Sequence, residues 1–115
     1  MDIFSFFTKN SCSIEGKNSV VWTWQEFETK KAEMEKEGKQ VILVDMIADP
    51  IPGSVPISNE LFQNKYPDGT VFALYCHSGG TSGMMQKKLT PLFPQYTFIN
   101  MKGGIGAYRL FTQFQ

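Results

Sequence analysis

The chain has 115 residues, 42% of them hydrophobic and ten of them Phe, enough for one domain to bury a core without disulfides or metals. Eleven Lys and Arg balance eleven Asp and Glu, so no basic footprint exists for nucleic acid or for an anionic membrane. Two cysteines far apart exclude a secreted disulfide framework. The opening Met-Asp-Ile-Phe-Ser-Phe-Phe lacks the basic start of a signal peptide and no later run could span a bilayer, so a cytoplasmic location is expected.

Residues 1–18 read as an N-terminal arm and residues 19–115 as the domain. In the arm, Ile3, Phe4, Phe6 and Phe7 make an apolar patch that could pack as a short helix or lie loose, and Cys12 sits in the polar stretch that follows. Residues 19–22 read as a short strand. Thr23 and Glu26 then form a capping box for a helix that runs to about residue 37. Trp24, Phe27 and Met34 give that helix an apolar side. Glu26 with Lys30, and Lys31 with Glu35, pair on its surface, and Gly38 ends it.

Residues 40–45 are a buried strand ending in an acid, Asp45, and Pro50 and Pro52 mark a stiff turn after it. Ser58 is placed to cap a short helix through Leu61 and Phe62 to about residue 65, before a strong turn over residues 66–70. Five apolar residues at 71–75 read as a fully buried strand. Past residue 80, Met84, Met85, Leu89 and Leu92 supply apolar positions for a helix broken by Pro91 and Pro94, the paired methionines being read as core packing and not as metal ligands. Gly83 in the first turn of that helix costs about 1 kcal/mol against alanine, which implies a close approach or a flexible start. Residues 96–101 are the last strand. Gly103 and Gly104 turn the chain into a helix with Ile105, Tyr108 and Phe111 inward. The alternation implies an α/β fold, a small parallel sheet flanked by helices on both faces.

The stretch with chemistry in it is the one that follows the central strand. Cys76 stands at that strand's carboxyl end, where open α/β sheets place their ligand sites. It is followed by His77, Ser78, Gly79, Gly80, Thr81 and Ser82, small residues for the most part, whose backbone can curl around the sulfur and aim N–H groups at it. A helix beginning near Thr81 or Ser82 would add its N-terminal dipole. Both effects favour thiolate over thiol and make Cys76 a candidate nucleophile. The bland alternative is a buried structural cysteine.

Three segments together resemble the rhodanese-type sulfurtransferases. They are Ile42-Leu43-Val44-Asp45 with the Pro52-Gly53 pair, the loop Leu74-Tyr75-Cys76-His77-Ser78-Gly79-Gly80-Thr81-Ser82, and Met101-Lys102-Gly103-Gly104 with the helix after it. The match covers roughly residues 20–110 and implies a rhodanese-like fold. It also implies sulfur transfer by double displacement, in which Cys76 takes the outer sulfur of thiosulfate or a persulfide donor and passes it to a thiophilic acceptor such as a protein thiol. Loop residues 77–82 would bind the substrate, Asp45 would either support the loop by holding its amides or simply cap its strand, and no metal or organic cofactor is required. Cys12 is then a spectator thiol, or a second thiol that relays sulfur from Cys76 or closes a disulfide with it.

The chain departs from the pattern of the family in several places. Ile47 stands where an arginine usually follows the aspartate, and Tyr108 stands where a tryptophan is usual. His77 stands where many members have an arginine, and either donates to an anionic substrate or faces water. Thr81 matches a substrate-binding threonine of some members, or caps the helix. The link after Asp45 is short and lacks the usual histidine, which implies an open pocket wall suited to a bulky partner. Ser82 occupies the place of the arginine that related cysteine phosphatases use to grip an oxyanion, and no Arg or Lys lies between Cys76 and Gln86, which argues against phosphatase activity. A non-catalytic interaction module or sulfur carrier is the alternative of a different class.

Overall fold

Each buried apolar run of the chain pairs in parallel with another, and the result is one five-stranded sheet. The computed structural model describes residues 20–63 and 65–114, so the arm, its apolar patch and Cys12 lie outside the described residues. The elements are β1 (Val21–Trp22), α1 (Trp24–Lys36), β2 (Val41–Asp45), β3 (Ser54–Pro56), β4 (Val71–Tyr75), α2 (Gly80–Leu92), β5 (Thr97–Met101) and α3 (Gly104–Gln113). The strand order is β1-β5-β4-β2-β3, with every pairing parallel. β4 is therefore central.

The central strand has no polar face because both of its faces are covered. Val71, Ala73 and Tyr75 point into one cluster with Trp22, Trp24, Phe27 and Ile105, under α1 and α3. Phe72 and Leu74 point into a second cluster with Leu61, Phe62, Leu89, Tyr96 and Phe98, on the side of α2. All five β4 residues are at most 3% exposed, and burial on this scale is worth about 1.5–3 kcal/mol for each large side chain. Helices thus lie on both faces of the parallel sheet.

Several local expectations hold. Thr23 Oγ1 accepts from Glu26 N at 3.1 Å while Glu26 Oε1 accepts from Thr23 N at 2.9 Å, which completes the capping box. Lys31 and Glu35 pair at 2.8 Å. Tyr108 packs edge-on against Trp24 at 4.9 Å between ring centroids.

Others need correction. The expected helix after Ser58 is a pair of overlapping turns, with Leu61 N bonding Ser58 O at 3.3 Å and Gln63 N bonding Glu60 O at 3.2 Å; Leu61 and Phe62 are buried without one. A nucleus of two turns with nothing to propagate into gains too few bonds to become a helix. Pro91 does not break α2 but sits inside its last turn, which ends one residue later at Leu92. A proline this close to the end removes a single bond from the ladder, and its ring meets only the carbonyl one turn back. Met85 packs in the second cluster, but Met84 is 74% exposed and Leu92 61%, so neither is core. The Pro-rich link holds an unexpected edge strand, β3, whose Pro56 is tolerated because edge strands need not donate on both sides.

Candidate active site

The carboxyl ends of β2 and β4 bring the candidate residues to one edge of the sheet. Cys76 directly follows β4 and is 3% exposed. Its sulfur accepts from Gly79 N at 3.2 Å and from Ser82 N at 3.3 Å, and it lies 3.2 Å from the Ser82 hydroxyl. Gly79 is the N-cap of α2 and Ser82 is the third residue of its first turn. The cap has no side-chain acceptor of its own. The Cys76 sulfur takes the place that a Ser or Asp oxygen fills in ordinary N-caps, accepting orphan amides at the positive end of a 13-residue helix.

Gly79 makes this curl possible. It has φ 101°, a left-handed conformation, and a Cβ there would lie 3.3 Å from Gly103 N and 3.5 Å from Met101 O. The loop is fastened from the other side by α3, whose first amides bond its carbonyls: Ile105 N to Cys76 O at 2.8 Å and Gly106 N to His77 O at 3.3 Å. Gly104 brings α3 that close, because a Cβ on it would fall on the Cys76 carbonyl oxygen and 2.7 Å from the His77 carbonyl carbon. Trp24 Nε1 then donates to Gly104 O at 3.0 Å, a buried bond from α1 to the same junction. These parts of the cradle, Gly104, Ile105 and Trp24, were not singled out as site residues from the sequence.

Burial pushes the Cys76 thiol up, but the Ser82 hydroxyl, the Ser82 and Gly79 amides and the Ser78 amide together outweigh it, and the group titrates below the ordinary thiol range. No formal charge is needed for this. His77, Ser78, Gly80 and Thr81 line an exposed rim around the sulfur, and Ser82 is fully buried beneath it. Thr81 does not cap α2, since the cap is Gly79 and makes no side-chain bond. Asp45 is 4% exposed beside Tyr75 in the sheet, and its Oδ1 accepts from Ile47 N at 2.8 Å. It therefore fastens the link of residues 46–53 and not the cysteine loop.

That link is a short braced wall. Tyr75 Oη donates to Asp49 O at 2.8 Å, and Arg109 of α3 pairs with Asp49 Oδ2 at 3.0 Å. Ile47 and Ile51 pack into the first core cluster. An open groove of about 890 Å³ lies between α1 and α3, lined by Trp24, Lys102, Gly103, Leu110 and Phe114 among others; it contains neither Cys76 nor any residue of the cysteine loop.

No family model and no curated protein matches the chain. Solved structures do. A Bacillus halodurans protein superposes with a TM-score of 0.57 at 17% identity, over 91% of this chain and 82% of its own. A full-length Lactobacillus plantarum protein gives 0.57 at 13% identity over 94% of each chain, and another crystal structure from that organism gives 0.54 at 15% over 90% of this chain and 95% of its own. The likeness is one of fold. Among the described residues, no helix is long and apolar enough to cross a membrane, and no three His, Cys, Asp or Glu are grouped to hold a metal.

Asn100 is a polar residue of the site that the sequence patterns do not mark. It interrupts the apolar run Phe98-Ile99-Asn100-Met101 of β5, and its amide joins the loop twice: Ser82 Oγ donates to Asn100 Oδ1 at 2.6 Å and Asn100 Nδ2 donates to Gly79 O at 3.0 Å. A lone amide in a buried strand was the available signal, because such a group needs partners.

Proposed function

We propose that the chain is a rhodanese-type sulfurtransferase that works through a persulfide on Cys76. The observation that supports this best is the sulfur held by two helix-end amides in a loop without a cation. Such a cradle suits an anion centred on sulfur, whether thiolate or persulfide.

In the first half-reaction the Cys76 thiolate attacks the outer sulfur of the donor. With thiosulfate, the donor S–S bond breaks, sulfite leaves with the electron pair, and Cys76 carries a terminal sulfur anion. In the second, an acceptor thiolate attacks that terminal sulfur, and Cys76 thiolate is the leaving group. Electrons balance within the two exchanges, so no redox cofactor enters. Because Cys76 is almost wholly covered, the donor must offer a slim sulfur end-on across the rim of His77, Ser78, Gly80 and Thr81. A donor's charge meets neutral hydrogen-bond donors and His77 there, a rim that accommodates thiosulfate or a persulfide carried by a protein. A reducing compartment such as the cytoplasm fits a working thiol.

Intact mass after brief thiosulfate exposure tests the reading, with Cys76→Ser alongside. Gain of one sulfur atom by the native chain alone is the expected result. No gain with a readily alkylated Cys76 moves the donor to a protein persulfide, and no gain with an inert Cys76 replaces the reading by an interaction module.

A further inference from the structure

Ser82 has one hydroxyl hydrogen and two neighbours that want it. Its oxygen lies 3.2 Å from Cys76 Sγ and 2.6 Å from Asn100 Oδ1. The orientation of the Asn100 amide is fixed, since Nδ2 faces the Gly79 carbonyl, which can only accept. The oxygen end of Asn100 must therefore face Ser82, and Ser82, fully buried, has no water to turn to.

While Cys76 is a thiol, every group is satisfied: S–H donates to Ser82 Oγ and Ser82 O–H donates to Asn100 Oδ1. Once the sulfur is ionised, it faces an oxygen lone pair unless the Ser82 hydrogen swings over to it, and the swing breaks the shorter bond to Asn100. We infer that Asn100 is a positioning residue that sets the protonation of Cys76 through this single shared hydrogen, holding the hydroxyl for the thiol and releasing it to the thiolate. Gly83 makes room for the device. A Cβ there would lie 3.0 Å from Asn100 Nδ2, which accounts for a glycine in the first turn of α2.

The hydrogen bonds given for the Cys76 sulfur come from Gly79 and Ser82, both uncharged residues. The titratable or charged groups on the elements around the loop are Asp45 of β2, bonded to Ile47 N, Tyr75 of β4, His77 in the loop, Lys87 and Lys88 of α2, Lys102 after β5, and Tyr108 and Arg109 of α3, the last paired with Asp49. The leading influences on Cys76 are burial and the hydrogen bonds from Ser82, Gly79 and Ser78.

The experiment is a thiolate titration of Cys76, by ultraviolet absorbance and by iodoacetamide rate against pH, in the full chain with Cys12→Ser so that one thiol reports. It needs no sulfur transfer, so it stands or falls apart from the proposed activity. Asn100→Leu is expected to lower the midpoint by about one pH unit, since the freed hydroxyl then serves the thiolate alone. Ser82→Ala is expected to raise it, and adding Asn100→Leu to Ser82→Ala to change nothing further. Gly83→Ala, which crowds the Asn100 amide without deleting a polar group, gives a smaller shift in the same direction as Asn100→Leu and serves if that variant does not fold. An unchanged or raised midpoint in both Asn100→Leu and Gly83→Ala overturns the inference. So does a fall that persists in the Ser82→Ala background, which would route the effect through Gly79 instead.

Discussion

Two segments leave the carboxyl edge of the sheet side by side, and they are held in opposite ways. The cysteine loop, residues 76–82, is fixed largely by backbone: amides on its sulfur, amides of α3 on its carbonyls, and glycines that let main chain approach main chain, with the Asn100 amide added on Gly79 O and Ser82. The neighbouring wall, residues 46–53, is fixed by side chains: Tyr75 on Asp49 O, Asp45 on Ile47 N and Arg109 on Asp49. Backbone contacts cannot be exchanged by substitution, whereas side-chain struts can. The loop should therefore be intolerant where the wall is forgiving.

The strongest way to break that contrast is at Gly104. Gly104→Ala forces a methyl onto the Cys76–His77 peptide at a residue with φ 56°, and should cost more than about 3 kcal/mol in chemical denaturation. A loss below about 1 kcal/mol would mean that α3 is free to shift away. An intermediate effect is expected from the sulfur itself. Cys76 titrates below the ordinary thiol range in the folded chain, so its ionisation adds stability as pH rises from the folded midpoint towards the ordinary range, and that contribution disappears as pH falls through the folded midpoint. Wild type should thus gain on Cys76→Ala between mildly acidic and mildly alkaline pH, as read by paired urea melts; parallel curves would remove the case for a stabilised thiolate.

On the wall the effects shrink. Tyr75→Phe removes a buried strut and should cost about 1 kcal/mol, with little change in Cys76 alkylation. A large fall in alkylation rate would show that the two segments are coupled after all. Smallest is Arg109→Gln. Both partners are well exposed, 65% and 44% of their side-chain surface, and about 0.5 kcal/mol or less should be lost, less still in high salt.

The same contrast explains what could be read from the sequence. The apolar run of β4, the capping box at Thr23 and the small residues after Cys76 declare themselves locally, because period, cap chemistry and side-chain bulk act over a few positions. The use of Gly79 and Ser82 amides followed from that. What was hidden is what depends on partners far along the chain. Asn100 meets Ser82, and Trp24 meets Gly104, only once β5 and α1 are placed. Gly83 signalled a close approach but could not name Asn100 as the neighbour. β3 was hidden for another reason, since Ser54-Val55-Pro56 has the residues of a turn and becomes a strand only because β2 offers it an edge. The turns at 58–63 failed in reverse: a good cap residue was present, but nothing sustained a helix.

The strand order carries a consequence for how the chain is made. β1, the first strand of the sheet, pairs with β5 and touches no other strand, so it cannot dock until almost the whole domain has been synthesised. During translation β4 emerges before its second neighbour, and Val71–Tyr75 must wait with one edge unpaired and apolar on both faces. A ribosome that pauses before Thr97 would expose that edge to other nascent chains, the setting in which unpaired strands aggregate. The strand that delivers the cysteine thus keeps one apolar edge open until β5 has been made.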